Sequence, residues 1–220
     1  MKISILLPYK ENFSPVYPGA VSLFVNDTLK LSKFKKYIKV YGNTAFKNKF
    51  SRNYRNIKLK KIFLGSQSEN YMDEFIKIEK LNPSHIIEIH NRPHYLKYLI
   101  NEGVNSKFVL YFHNDPLTMT GSKSLSERKY LVDICDKIIF NSDWSKKRFL
   151  EKIPSGSVSS EKLIVIFQSA SKNKINFKNK KKWITFVGKL NRSKGYDIFG
   201  SAIIKILNKY KDWQAIVIGD

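Results

Sequence analysis

Two histidines and two lysines are the residues of this chain whose types and spacing could do chemistry. His90 closes the apolar run His85-Ile-Ile-Glu-Ile-His90, and His113 closes Lys107-Phe-Val-Leu-Tyr-Phe-His113; each is followed by an asparagine, Asn91 and Asn114. Ligands in open α/β sheets bind beyond the carboxyl ends of the strands. A lone histidine is more often structural, but two at equivalent strand ends favour a site. Lys189 and Lys194 stand five residues apart between an apolar run, Trp183 to Val187, and a helical periodicity through Tyr196, Ile198, Phe199, Ala202, Ile203, Ile206 and Leu207. Gly188 ends the strand and Gly195 opens the helix. Backbone N–H groups at a helix N-terminus are unpaired and partly positive, so two neighbouring lysines suit a phosphate or diphosphate. Spacing alone leaves a merely solvated strand-to-helix turn equally open.

The elements that must position these groups alternate. Lys2 to Leu7 reads as a strand closed by Pro8, and a polar segment then reaches Gly19 before the helical run Ala20 to Leu31. A glycine at that helix mouth lets backbone approach a ligand, which makes Gly19 a further candidate. Tyr37–Tyr41 and Ile57–Phe63 have strand character, and the second alternates apolar residues with lysine as an edge strand does. A helix over Glu69 to Leu81 stops at Pro83. The strand ending at His90 leads through Asn91-Arg92-Pro93 into a helix from Tyr95. Further strands lie at Lys107–His113, Cys135–Asn141 and Lys162–Phe167, and Ser142-Asp143 has N-cap chemistry for a helix over Trp144 to Leu150. The repeat of strand then helix predicts a parallel Rossmann-like sheet with helices on both faces. Residues 1–168 form that domain, 169–182 a lysine-rich linker, and 183–220 the first β-α-β of a second Rossmann-like domain.

Composition narrows the class. With 220 residues, 42% of them hydrophobic, the chain can bury a core. No run approaches 18 apolar residues, and the apolar part of the N-terminus is too short for a signal peptide, which predicts a cytoplasmic protein. The single cysteine, Cys135, sits among apolar neighbours as a small core residue. Forty basic against 18 acidic residues give +22, and the excess is uneven: twelve Lys or Arg against one acid from Asp27 to Lys61, nine against none from Lys172 to Lys194. Such blocks could dock the chain on an anionic membrane, each near-surface cation contributing roughly 1 kcal/mol. They would also attract nucleic acid, but no helix-turn-helix, zinc or RNA-recognition signature accompanies them and no aromatics interleave for stacking.

Val187-Gly-Lys-Leu-Asn-Arg-Ser-Lys-Gly195 resembles the motif that opens the second domain of family 4 glycosyltransferases, Val-Gly-Arg-Leu followed by Lys-Gly. Glu88-Ile-His-Asn-Arg-Pro93 and Phe112-His-Asn-Asp-Pro116 are similar to the two histidine-bearing strand ends of the first domain. Phe140-Asn-Ser-Asp-Trp-Ser-Lys-Lys-Arg148 is similar to the segment that opens its last helix. The resemblance implies the GT-B fold of two facing Rossmann-like domains, and retaining transfer from a nucleotide sugar to a glycan or lipid-linked acceptor in cell-envelope polysaccharide or lipopolysaccharide synthesis. It places Lys189 and Lys194, with Gly19 and Gly188, at the donor diphosphate, and His113 beside the transferring sugar. His90, Asn91, Arg92 and Asn114 fall on the acceptor side. Lysine at 189, where the family has arginine, lacks the bidentate fork. No Asp-x-Asp stands in the chain, so neither metal nor cofactor is implied. The family's glutamate-containing motif has no counterpart here, so the 220 residues alone are expected not to turn over. Two other readings are a sugar-nucleotide-binding protein without turnover and a basic nucleic-acid-binding protein.

Overall fold

The computed structural model describes residues 1–60, 66–159, 161–169 and 180–219. The chain divides into two compact units, Met1–Ser171 and Lys172–Asp220. The first is built on strands β1 (Ile3–Leu6), β2 (Ile38–Gly42), β3 (Tyr54–Asn56), β4 (Ile86–His90), β5 (Lys107–Phe112), β6 (Lys137–Phe140) and β7 (Leu163–Val165). They form one sheet in the order β3-β2-β1-β4-β5-β6-β7, and every pairing is parallel. Helices α1 (Ala20–Leu31), α2 (Gln67–Leu81), α3 (Tyr95–Asn101), α4 (Leu125–Ile134) and α5 (Asp143–Leu150) join them.

Successive strand residues point to opposite faces, which splits the apolar positions into two cores. Ile87, Ile89, Phe108, Leu110, Phe112, Ile138 and Phe140 pack under α2, α3, α4 and α5. On the other face Ile5, Leu7 and Val40 meet Val21, Val25 and Leu29 of α1. Each fully buried Phe or Leu contributes roughly 1.5–3 kcal/mol. The chain order reverses between β1 and β4, and there Phe24 of α1 packs against the polar residues of β4 and β5.

Two differences from the sequence reading have local causes. The strand expected over Ile57–Phe63 begins earlier, as β3, because Tyr54 rather than Ile57 enters the ladder opposite Val40. Residues 57–60 keep the alternation of buried Ile57 and exposed lysine without a strand, and residues 61–65 lie outside the described residues. Helix α4 was not anticipated, although Ser124 and Glu127 form a complete capping box, each side chain accepting from the other's backbone N–H. Of the expected linker, 170–179 lie outside the described residues. Cys135 is buried, and burial pushes its thiol up to about 12, which keeps it protonated and unreactive.

The second unit pairs β8 (Trp183–Val187) with β9 (Gln214–Ile218) in parallel, and α6 (Tyr196–Lys209) crosses over between them. Phe186 packs on Tyr196 and Phe199 of α6 with ring centroids 5.3 and 5.2 Å apart. Among the described residues of this unit, Ile203 is the one buried apolar side chain.

Candidate functional site

Glu88 and His90 are two residues apart on β4, so both leave the strand on the face opposite Ile87 and Ile89. Register places His90 beside Tyr111 of β5, and His113 follows two residues later on the same face. The four side chains meet. His90 Nε2 lies 2.8 Å from Glu88 Oε1, and His90 Nδ1 lies 2.8 Å from His113 Nε2. The Tyr111 ring stacks on His90 at 4.9 Å, and Phe24 of α1 stands edge-on to His113 at 5.0 Å. The remaining nitrogen of His113, Nδ1, is hydrogen-bonded by the side-chain amide of Gln168.

The backbone around His113 is pinned from both neighbouring strands. Its N–H donates to Asn91 Oδ1 at 2.8 Å, and its carbonyl accepts from Asn141 Nδ2 at 2.8 Å. Asn91 holds that position with φ at 52°, a left-handed conformation that asparagine adopts more readily than most residues. Its own N–H donates to the Tyr111 carbonyl at 2.9 Å, and its side-chain amide reaches Asn114 Oδ1 at 3.4 Å. Arg92 Nη1 donates to the Asn91 carbonyl at 2.8 Å. Asp115 caps the following turn and pairs with Arg148 of α5 at 3.2 Å. Asn91 therefore serves the geometry of His113, and the Asn114 side chain meets it through Asn91.

Burial, and secondarily the neighbouring His90, push the His113 imidazole down to about 3, so it is neutral throughout the physiological range. Burial and then the Glu88 charge raise the Tyr111 phenol far above its ordinary value, so that hydroxyl stays protonated.

Gly19 stands at the N-cap of α1, but the anion at that helix end is the chain's own. Glu11 Oε1 accepts from the Ser22 N–H at 3.0 Å, and a Cβ on Gly19 would lie 1.9 Å from that oxygen. A side chain at position 19 would have to push the Glu11 carboxylate aside. Because α1 has no side-chain cap from its N-cap residue, Glu11→Ala is expected to cost about 1 kcal/mol of stability, the usual worth of a helix cap, read as a lowered urea midpoint with unchanged slope.

In the second unit Gly188, Lys189 and Lys194 lie on the turn from β8 to α6. Gly188 donates to the Ile218 carbonyl at 3.0 Å, and a Cβ on Gly219 would lie 1.8 Å from Gly188 O, so two glycines let the strand ends touch. Asn191 caps the short turn Arg192–Lys194 by accepting from the Lys194 N–H at 3.2 Å. Gly195, at φ 72°, turns the chain into α6, whose N-terminus no side chain caps. Arg192 pairs with Asp197 at 3.4 Å. Lys189 and Lys194 are exposed, and among the described residues neither has a carboxylate partner.

Sequence reasoning singled out His90, His113 and the asparagines but passed over Glu88, Tyr111, Phe24 and Gln168. Glu88 was findable, since two positions before His90 on a strand means the same face. Gln168 was not, because its contact spans 55 residues.

No protein-family model and no curated protein matches the sequence. Solved structures match it along its whole length. The Anabaena protein HepE, crystallised with UDP and glucose, has a TM-score of 0.63 at 15% identity over 99% of this chain and 60% of its own. The lipopolysaccharide outer core galactosyltransferase WaaB, in its apo form, gives 0.60 at 15% over 100% and 61%. The fold is GT-B. A neighbour of different activity, the UDP-GlcNAc 2-epimerase of Neisseria meningitidis bound to UDP-GlcNAc, gives 0.59 at 11% over 99% and 65%. The chain spans about 60% of the length of the first two GT-B proteins. Among the described residues no helix is long and apolar enough to cross a membrane.

Proposed function

We propose that this chain belongs to a retaining glycosyltransferase that moves a sugar from a nucleotide donor to a glycan or lipid-linked acceptor of the cell envelope. The observation that carries the reading is the β8–α6 turn, where two exposed lysines without carboxylate partners among the described residues precede a helix N-terminus that none of those residues' side chains caps. That arrangement suits a diphosphate. The HepE complex with UDP and glucose and the galactosyltransferase WaaB support it. The leaving diphosphate gains charge as the glycosidic bond breaks. Cations already in place at its oxygens therefore stabilise the transition state more than the ground state. His113, neutral and held from both sides, hydrogen-bonds a hydroxyl of the sugar or acceptor. His90, Asn91, Arg92 and Asn114 shape the acceptor side around it.

The test is to incubate the full-length protein with a panel of nucleotide sugars and candidate acceptors, following nucleoside diphosphate release together with transferred sugar. An epimerase is the second reading, favoured by the Neisseria neighbour. It would invert a sugar carbon without needing an acceptor. Epimerised sugar in place of a transfer product would overturn the transferase.

We also propose that the basic block from Asp27 to Lys61 docks the protein on acidic lipid. Lys33, Lys35, Lys36, Arg52, Arg55 and Lys58 of this block are exposed, as is the Phe34 ring among them. The protein is expected to pellet with phosphatidylserine-containing vesicles, to ignore phosphatidylcholine vesicles, and to be released by 0.5 M salt. Absence of binding to either kind would leave the lysines as plain surface charge.

A further inference from the structure

Glu88, His90, His113 and Gln168 form one unbroken chain of hydrogen bonds, and its two ends fix the proton positions in the middle. A carboxylate only accepts, so the proton between Glu88 and His90 belongs to His90 Nε2. A neutral imidazole with Nε2 protonated offers Nδ1 as an acceptor, so the proton between the rings belongs to His113 Nε2. The Nδ1 of His113 is then an acceptor as well, and it receives the N–H of the Gln168 amide. With both rings neutral, all three bonds are satisfied by one arrangement. The opposite arrangement would leave His90 Nε2 and the Glu88 carboxylate facing each other with no proton.

We infer that Glu88 and His90 are positioning residues that hold His113 in its Nε2–H tautomer, making its Nδ1 an obligatory hydrogen-bond acceptor that the Gln168 amide covers. The chemical consequence is selectivity at that atom. A ligand displacing Gln168 must present a hydroxyl or N–H there, and a phosphate or carboxylate oxygen finds no donor. The surroundings agree. The His113 ring has no third polar partner among the described residues, being walled by Phe24 and by the His90 and Tyr111 rings. Its low proton affinity, caused by burial and by His90, keeps it from becoming a cation that would invert this preference. A plain structural role for Glu88 would give no reason for the tautomer of a ring two bonds away.

The inference rests on the reading of His113 as the ligand-facing group, and the experiment separates the two. Long-range nitrogen–proton NMR on the histidine-labelled 220-residue chain at neutral pH reports which ring nitrogen of each imidazole carries the proton. Both His90 and His113 are expected as Nε2–H with bare Nδ1. Glu88→Met removes the terminal acceptor and is expected to give a mixture of tautomers at His113, whereas Glu88→Gln, whose amide oxygen still accepts, keeps the wild-type pattern. Nδ1–H at His113 in the wild type overturns the proposal, as does a folded Glu88→Met chain with an unchanged His113. Should Glu88→Met not fold, the wild-type spectrum and Glu88→Gln decide: Nε2–H on both rings in each supports the relay, and Nδ1–H on His113 in either sinks it. Titration with UDP-glucose then addresses the ligand. A moved His113 Nδ1 resonance supports its facing the sugar, and an unmoved one removes that reading while the relay stands.

Discussion

Replacing Lys194 by alanine in the full-length protein is expected to weaken nucleoside diphosphate binding by about 1.5–3 kcal/mol, the range of a hydrogen bond to a charged group. The basis is its place on the turn into α6, beside a helix end that no side chain caps among the described residues; the nearby Asp197 carboxylate pairs with Arg192 and not with Lys194. A cation already paired would have to exchange one anion for another and would lose little on removal. Lys189 is expected to contribute less, because it is a point charge on a flexible stem where the resembled family has a fork. The double variant should also flatten the salt dependence of binding, since exposed charges are screened over about 8 Å at physiological ionic strength. Calorimetry with UDP at two salt concentrations reads both effects, and an unchanged dissociation constant for Lys194→Ala would remove this turn from the site.

His113→Ala is expected to cut turnover at least tenfold, about 1.4 kcal/mol of barrier, with UDP affinity nearly unchanged. Because the imidazole is neutral down to about 3, it should add no limb to the rate profile between about pH 5 and 8. It does shape stability. The unfolded imidazole takes a proton below about pH 6.5, while folded His113 does not until about 3. The unfolded chain therefore binds more protons in that window, and stability falls as the pH drops through it. His94, lowered chiefly by its own burial, adds a slope of the same sign. His113→Asn should make the chain less sensitive to acid over pH 6.5 to 4, measured by urea midpoints. An equal slope in wild type and variant would mean that His113 titrates freely.

The parallel sheet and most of its helices were legible because most strands are short apolar runs and α1, α2, α3, α5 and α6 are separate periodic segments, whereas α4 and the position of β3 were not. The boundaries of β4, β5, β6 and β8 fall within a residue or two of the apolar runs. Apart from α4, whose capping box was readable, what escaped was set by pairing rather than by pattern. Tyr54 enters the ladder opposite Val40 although the alternation is cleaner from Ile57 onward. At the site, the histidines announced themselves by standing at strand ends, but the relay is made by a strand face and by a glutamine 55 residues away. Gly19 was legible as a helix-mouth glycine. Only the structure places Glu11 against it, since a carboxylate eleven residues before Ser22 carries no sign of capping that helix.

The central position of β1 bears on how the chain is made. Ile3 pairs with Ile38 on one side and with Ile86 on the other, so β1 is completed by a strand that emerges roughly 80 residues later. At about 5–20 residues per second, the wait is on the order of 4–16 s. Throughout it, β1 has one backbone edge unpaired while Leu6, buried under residues that follow in the chain, is uncovered. Ribosome-bound chains halted before residue 86 are thus expected to hold chaperone, and chains halted well beyond residue 113 to release it. Codon changes that slow translation between those points should lower yield without altering a single residue of the folded protein.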